Sequence, residues 1–253
     1  MKFLRFILPV AVIVLFSGCL DIDEKVNIKN DGSGTLKMDM DMSQMVEMLK
    51  QYVGEEELAK KGMDKMDTTI YMKDIIDTVS TLTAEQKALF RPGSVSIKMN
   101  LDEKVFKTHM QFPFTSLDNL QKLYTAMNSG SLGNTKLFSG LTGGGEAGGG
   151  QSPDLNQFNG VYDIVIKDGN MSKTLNKAKW DKLKNDPQLG QMKQAADMGL
   201  EILYTTTLEF PRAVKKIDNP LAKLSDDKKS VTIKYNLIDI FEKPDQFSYH
   251  IEY

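Results

Sequence analysis

From Lys25 to Met42 the chain reads KVNIKN, DGSG, TLKMDMDM, and this pattern constrains the fold more than any other stretch. Asp31-Gly32 between two strand-like runs marks a tight hairpin, because glycine reaches the positive φ that such turns need. Leu36, Met38, Met40 and Met42 alternate with Lys37, Asp39 and Asp41. That period of two places the thioethers on one face of a strand and the charges on the other. A turn this short forces antiparallel pairing, since parallel neighbours need a long crossover.

The same grammar recurs. SVSIKMNL and VFKTHMQF flank Asp102-Glu103-Lys104, with Val95, Ile97, Met99 and Leu101 on one face and Phe106, Met110 and Phe112 on the face of the return strand. Each hairpin runs into a predicted helix. Ser43 is placed to cap one that carries Met45, Val46, Met48 and Leu49, and Ser116 opens one with Leu117, Leu120, Leu123, Tyr124 and Met127. A hairpin-then-helix unit thus occurs near 25–52 and again near 94–128. Between them, the charged stretch from Glu55 to Leu82 reads as helical, and Thr83 and Gln86 have capping-box spacing before a helix that Arg91-Pro92-Gly93 ends.

Residues 129–157 are dominated by glycine and serine and read as a flexible loop or linker. They lack the Lys-Ser or Lys-Thr and following helix of a phosphate-binding loop. Beyond them come a strand with an Asp168-Gly169 turn, a mainly helical stretch from Lys177 to Leu203, and strands over YTTTLEF, KSVTIKYNLIDIF and FSYHIEY. The expected organisation is a leader over 1–18, an α+β region over 19–128, the 129–157 segment, and a second α+β region over 158–253 that stands apart or joins the first in one domain. Strands joined by tight turns and interspersed with helices argue for an α+β fold built on antiparallel sheet.

The N-terminus carries the sharpest motif. Lys2 and Arg5 precede an apolar run from Phe6 to Phe16, and small residues lead into Cys19, the one cysteine in 253 residues. These are the parts of a secretory signal peptide, and the run is shorter than the roughly 20 apolar residues of a spanning helix. Phe16-Ser17-Gly18-Cys19 resembles the lipobox of bacterial lipoproteins, with Phe16 in place of the usual Leu. The resemblance implies cleavage before Cys19, acyl chains on that residue, and a mature chain of 235 residues held at a membrane. The acyl chains contribute about 0.8 kcal/mol for each methylene buried. Leu20, not Asp, follows the cysteine, which by the same resemblance implies the outer membrane of a diderm cell, on its periplasmic or surface face. The body is also similar, loosely, to cell-envelope lipoproteins that place a DGSG hairpin soon after the cysteine.

Charge and residue usage narrow the chemistry. The mature body carries 30 basic and 34 acidic residues spread along its length, so no basic stripe offers itself to nucleic acid. A lone cysteine excludes an internal disulfide framework, which leaves the core to hold the fold. Eight of the 15 methionines lie between Met38 and Met72. Thioethers suit Cu(I), but strand neighbours two apart sit roughly 7 Å from one another. Met45 and Met48, one helical turn apart, are therefore the metal candidates, while Met38, Met40 and Met42 line a core or an apolar ligand groove. Asp39, Asp41, Asp21, Asp23 and Glu24 lack the glycine of a calcium loop and read as the solvent face of the hairpin. His109 and His250 lie in separate strand-like runs with no nucleophile motif beside either. The expectation is a non-catalytic, cofactor-free, lipid-anchored module that binds a protein partner or an apolar ligand at a membrane surface. A copper-handling lipoprotein and an envelope hydrolase are the alternatives.

Overall fold

The computed structural model describes residues 20–253 apart from positions 61, 63, 129–155, 187, 188, 191, 192, 195, 196 and 198–200, and apart from the side chains at 48, 49, 52, 156 and 157. The leader, Cys19 and nearly all of the glycine-rich segment therefore lie outside the described residues.

The first hairpin pairs β1 (Leu20–Ile28) with β2 (Gly34–Asp41), and Lys25 stands opposite Lys37. The strand starts five residues earlier than the Lys25 boundary read from the sequence. The reason lies far along the chain: β8 (Ile202–Glu209) runs parallel to β1 from the pair Leu20 and Ile202 to the pair Asn27 and Glu209. Those bonds lie on one edge of the acidic run from Asp21 to Glu24, and the β2 pairs from Asp21–Asp41 to Glu24–Met38 lie on the other, so strand geometry extends through it.

Around β1 stands an eight-stranded sheet. It takes in β3 (Lys65–Tyr71), β4 (Ser94–Asn100), β5 (Val105–Phe114), β10 (Ala222–Leu224) and β11 (Ser230–Asn236), in the order β10-β11-β8-β1-β2-β5-β4-β3. Strands from both sides of the glycine-rich segment share it. Every pair is antiparallel except β1 with β8. A second sheet holds β6 (Tyr162–Lys167), β7 (Asn170–Leu175), β9 (Lys216–Ile217) and β12 (Tyr249–Glu252), in the order β6-β7-β12-β9. The fold is α+β, as the turn spacing predicts.

Helices cover one face of the large sheet. The β1–β2 hairpin leads through a 3-10 turn (Ser43–Met45) into α1 (Val46–Val53), followed by α2 (Glu55–Lys60). Next come α3 (Met72–Ile75) and α4 (Ala84–Phe90), with the Thr83–Gln86 capping box formed as its spacing predicts. After the β4–β5 hairpin, α5 (Leu117–Asn128) buries Leu120, Leu123, Tyr124, Ala126 and Met127. The β6–β7 hairpin lies between α6 (Asn156–Gly160) and α7 (Lys177–Leu183), so the hairpin-then-helix unit occurs a third time.

Three local readings are corrected. The charged stretch 55–82 contains β3: Met66, Thr68 and Ile70 alternate along it and stand opposite Met99, Ile97 and Val95 of β4. Its acids and lysines carry a helix-like composition, but its β-branched residues pair with the neighbouring strand. Ser43 does not cap α1; its hydroxyl accepts from the Phe106 N–H at 3.1 Å and ties the turn to β5. Leu237 is buried as expected but belongs to a 3-10 turn (Leu237–Phe241), because the Asn236 side chain caps that turn through the Ile238 N–H.

Gly34, where β2 begins, marks a close approach of backbone to backbone. A Cβ built there would lie 1.9 Å from the Asn27 carbonyl oxygen and 2.5 Å from the Phe114 ring. Gly34→Ala is expected to cost about 1–3 kcal/mol through overpacking, seen as a lower urea midpoint at unchanged slope. An unchanged midpoint would show that the turn can move away.

Candidate functional site

The uncovered face of the large sheet is built from the polar positions of its alternating strands. Register aligns Asp23, Asp39, His109, Ser96 and Thr69 in one cross-strand row, and Asp21, Asp41, Lys107, Lys98 and Asp67 in the next. Within these rows His109 Nδ1 lies 2.5 Å from Asp39 Oδ1, and Lys107 Nζ lies 2.8 Å from Asp41 Oδ2. Burial works to raise the Asp41 carboxyl, but the Lys107 ammonium and the Ser43 hydroxyl and N–H hold it below its ordinary value. Among the described residues no cation pairs with Asp21. Burial, and then the Asp41 and Asp23 charges, push its carboxyl above its ordinary value, and its buried Oδ1 has no hydrogen-bond partner among those residues. Two open depressions of about 430 and 400 Å3 mark this face, the first between Asp21, Asp23 and Lys234 and the second between Asp39, Asp67 and Lys107.

Ser96, His109 and Asp39 follow one another across the strands in the order of a serine triad. The geometry of the row is not that of an activated nucleophile. Ser96 Oγ shares its hydrogen bond with Thr69 Oγ1 at 2.9 Å. β4 and β5 are also paired along both edges, which commits the surrounding backbone N–H groups to the ladder rather than to an oxyanion. What the face offers is an array of charges, with two pairs formed across strands, and of short polar side chains.

The opposite side of β1 holds a feature that the sequence reading missed. Glu24, read as a solvent-face acid, points inward and is 7% exposed. Strand parity explains this: Leu20, Ile22, Glu24, Val26 and Ile28 share the covered face. The carboxylate accepts from the Tyr124 hydroxyl on α5 and from the Tyr204 hydroxyl on β8, each at 2.7 Å. On the small sheet, buried Lys173 donates to Asn159 Oδ1 at 2.9 Å and lies 4.7 Å from the centre of the Tyr162 ring. Tyr204 stacks on Tyr235 at 5.3 Å, and Lys173 stands opposite Tyr249 in the β7–β12 pair. Burial pushes the Lys173 ammonium down to about 8, opposed by the Glu24 charge. Burial and then Glu24 push the Tyr124 and Tyr204 hydroxyls well above their ordinary range. Both charges are closed off from solvent, so the cluster joins β1, β8, α5 and the small sheet. A buried carboxylate satisfied by two hydroxyls costs far less than one left bare.

The methionines lie along that covered side. Met38 and Met40 are half-buried, Met42 is buried, and Met45 is half-buried, all packed against the core. The Met48 side chain lies outside the described residues. Among the described residues no group of three or more His, Asp or Glu side chains is arranged to hold a metal.

No protein-family model matches the chain, and no curated protein matches it. The folded domain of the LppM protein of Mycobacterium tuberculosis, solved by NMR, is similar over 95% of this chain and 94% of that one, at 10% identity and a TM-score of 0.34. Likeness at that level leaves fold and site to be argued from this chain's own residues. Among the described residues no helix is long and apolar enough to cross a membrane.

The buried lysine sets a pH dependence. Above pH 8 the folded chain has shed a proton that the unfolded chain keeps up to its ordinary value of 10.5. The unfolded state then binds more protons, and stability rises with pH. As pH nears 10 the buried tyrosines oppose the trend, because they hold protons in the folded state that the unfolded state loses. Between pH 8 and 10 this lysine is expected to add about 2 kcal/mol. In urea melts the stability difference between the native chain and Lys173→Met should shift in favour of the native chain by that amount from pH 8 to 10, since the tyrosine effect is common to both. Tyr124→Phe, which removes one donor to Glu24, is expected to cost about 1.5–3 kcal/mol, and a neutral result would show that Glu24 does not depend on that bond.

Proposed function

We propose that the chain is a lipid-anchored lipoprotein of the cell envelope, attached through Cys19, whose body is a non-catalytic module that binds a protein partner on the uncovered sheet face. The lipobox-like Phe16-Ser17-Gly18-Cys19 supports the anchor, and Leu20 after the cysteine favours the outer membrane. The observation that carries the binding role is the uncovered face itself. The strands present Asp, Lys, Thr and Ser side chains there, while α5, which reaches Glu24 through Tyr124 and the small sheet through Gln121, lies on the other side. Two large apolar side chains stand apart on that face, Leu203 at 37% exposure beside Asp21 and Tyr71 at 55% opposite Ser94. A polar partner surface suits such a face better than an apolar ligand does. The copper reading draws no support from Met45, which packs against the core, and the hydrolase reading draws none from the Ser96–His109–Asp39 row.

Cys19→Ser should abolish incorporation of an alkyne-labelled palmitate. Label retained on the mutant would sink the anchor. For the binding face, a photoreactive residue at Gln111 or Thr207 should crosslink one and the same envelope protein, and one at Thr125 on α5 should not. Equal crosslinking from all three positions would remove the open face from the proposal.

A further inference from the structure

The strand that follows Cys19 leaves no room for a tether. Leu20 is already a buried strand residue, 6% exposed, its N–H directed at the Glu201 carbonyl at 3.4 Å and its register set opposite Ile202. One peptide unit, about 3.8 Å between Cα atoms, separates it from the residue before it. An acyl group on Cys19 would therefore be attached one residue before that strand, at one end of the large sheet. That end is defined by the strand directions. β1 and β8 start there, β2 and β11 finish there, and the Asp102–Lys104 turn between β4 and β5 lies there as well.

We infer that this end of the sheet, bearing the turns at Ser43–Met45 and Asp102–Lys104, is a docking surface for the phospholipid bilayer. The inference rests on the lipid-anchor reading and goes beyond it, because anchoring alone would leave the body free to pivot. The side chains suit the headgroup layer and not the hydrocarbon. Gln44, Asp102, Glu103 and Lys104 are exposed, and Lys104 pairs with Glu47 at 3.1 Å. Charged tips of this kind are costly in the bilayer interior and at home in its polar margin. β1 then rises from the surface, and its nine residues carry the Asp31-Gly32 turn roughly 30 Å away at about 3.3 Å per residue. The uncovered face stands along that height, reachable from the side by a partner in the aqueous space.

The test uses the full acylated chain in vesicles of phosphatidylethanolamine and phosphatidylglycerol that carry a headgroup nitroxide. A fluorophore is placed through Glu103→Cys in the proximal turn or Asn30→Cys in the distal one. Quenching several-fold stronger at 103 than at 30 is the expected result. Equal quenching, or stronger quenching at 30, would overturn the docking surface while leaving the anchor intact. The same labels in a Cys19→Ser chain made without residues 1–18 separate the two ideas. Loss of vesicle binding supports the anchor on which the inference rests. Retained binding with the same quenching pattern would refute the anchor and show that the sheet end binds lipid by itself.

Discussion

β1 is hydrogen-bonded along both of its edges, to β2 on one side and to β8 on the other, and its covered face supplies Leu20, Ile22, Val26 and Ile28 to the core. The two bonds differ in kind. The β2 edge is local and is set by a turn of a few residues. The β8 edge is the one parallel pair in the sheet and joins the first described residue to one near position 202. Without it the β8–β11–β10 strands would have no sheet to extend. The Glu24 cluster would also lose Tyr204, half of its hydroxyl support. The cluster adds register to what the ladder provides, because a two-residue slip of β1 would bring Ile22 or Val26 to the tyrosine hydroxyls and leave the carboxylate among apolar side chains.

Much of this was legible in the chain because local rules agree with the global result. Asp31-Gly32 and Asp168-Gly169 do make hairpin turns, and both glycines have positive φ. The Thr83 capping box forms, and the apolar faces of β2, β4, β5 and α5 are the buried ones. The parallel β1–β8 contact was not legible, since nothing local marks which distant strand will fill an edge. β3 was hidden by its charges, whose composition suits a helix, while the Met66, Thr68 and Ile70 alternation that gives it away is only three residues long.

At the candidate site the outcome divides by face. Asp21, Asp23, Asp39 and Asp41 lie on the uncovered face as the alternation predicts, but Glu24 was grouped with its acidic neighbours when its parity already placed it with Leu20, Ile22, Val26 and Ile28. Composition misled where spacing would have answered. Its partners were beyond reach of the sequence, because Tyr124, Tyr204 and Lys173 come from three separate elements and converge only once both sheets are packed. The cross-strand row of Asp39, His109 and Ser96 likewise depends on the register of three strands, which only the folded sheet defines.

The parallel β1–β8 pair has a further consequence, in time rather than in space. A chain made from its N-terminus exposes β1 and β2 first, and β8 about 180 residues later. For that interval β1 is an edge strand, with a row of unpaired backbone groups and apolar side chains on one face, the arrangement most open to pairing with the wrong chain. The charges at Asp21, Asp23 and Lys25 along that waiting edge discourage such pairing until the proper strand arrives.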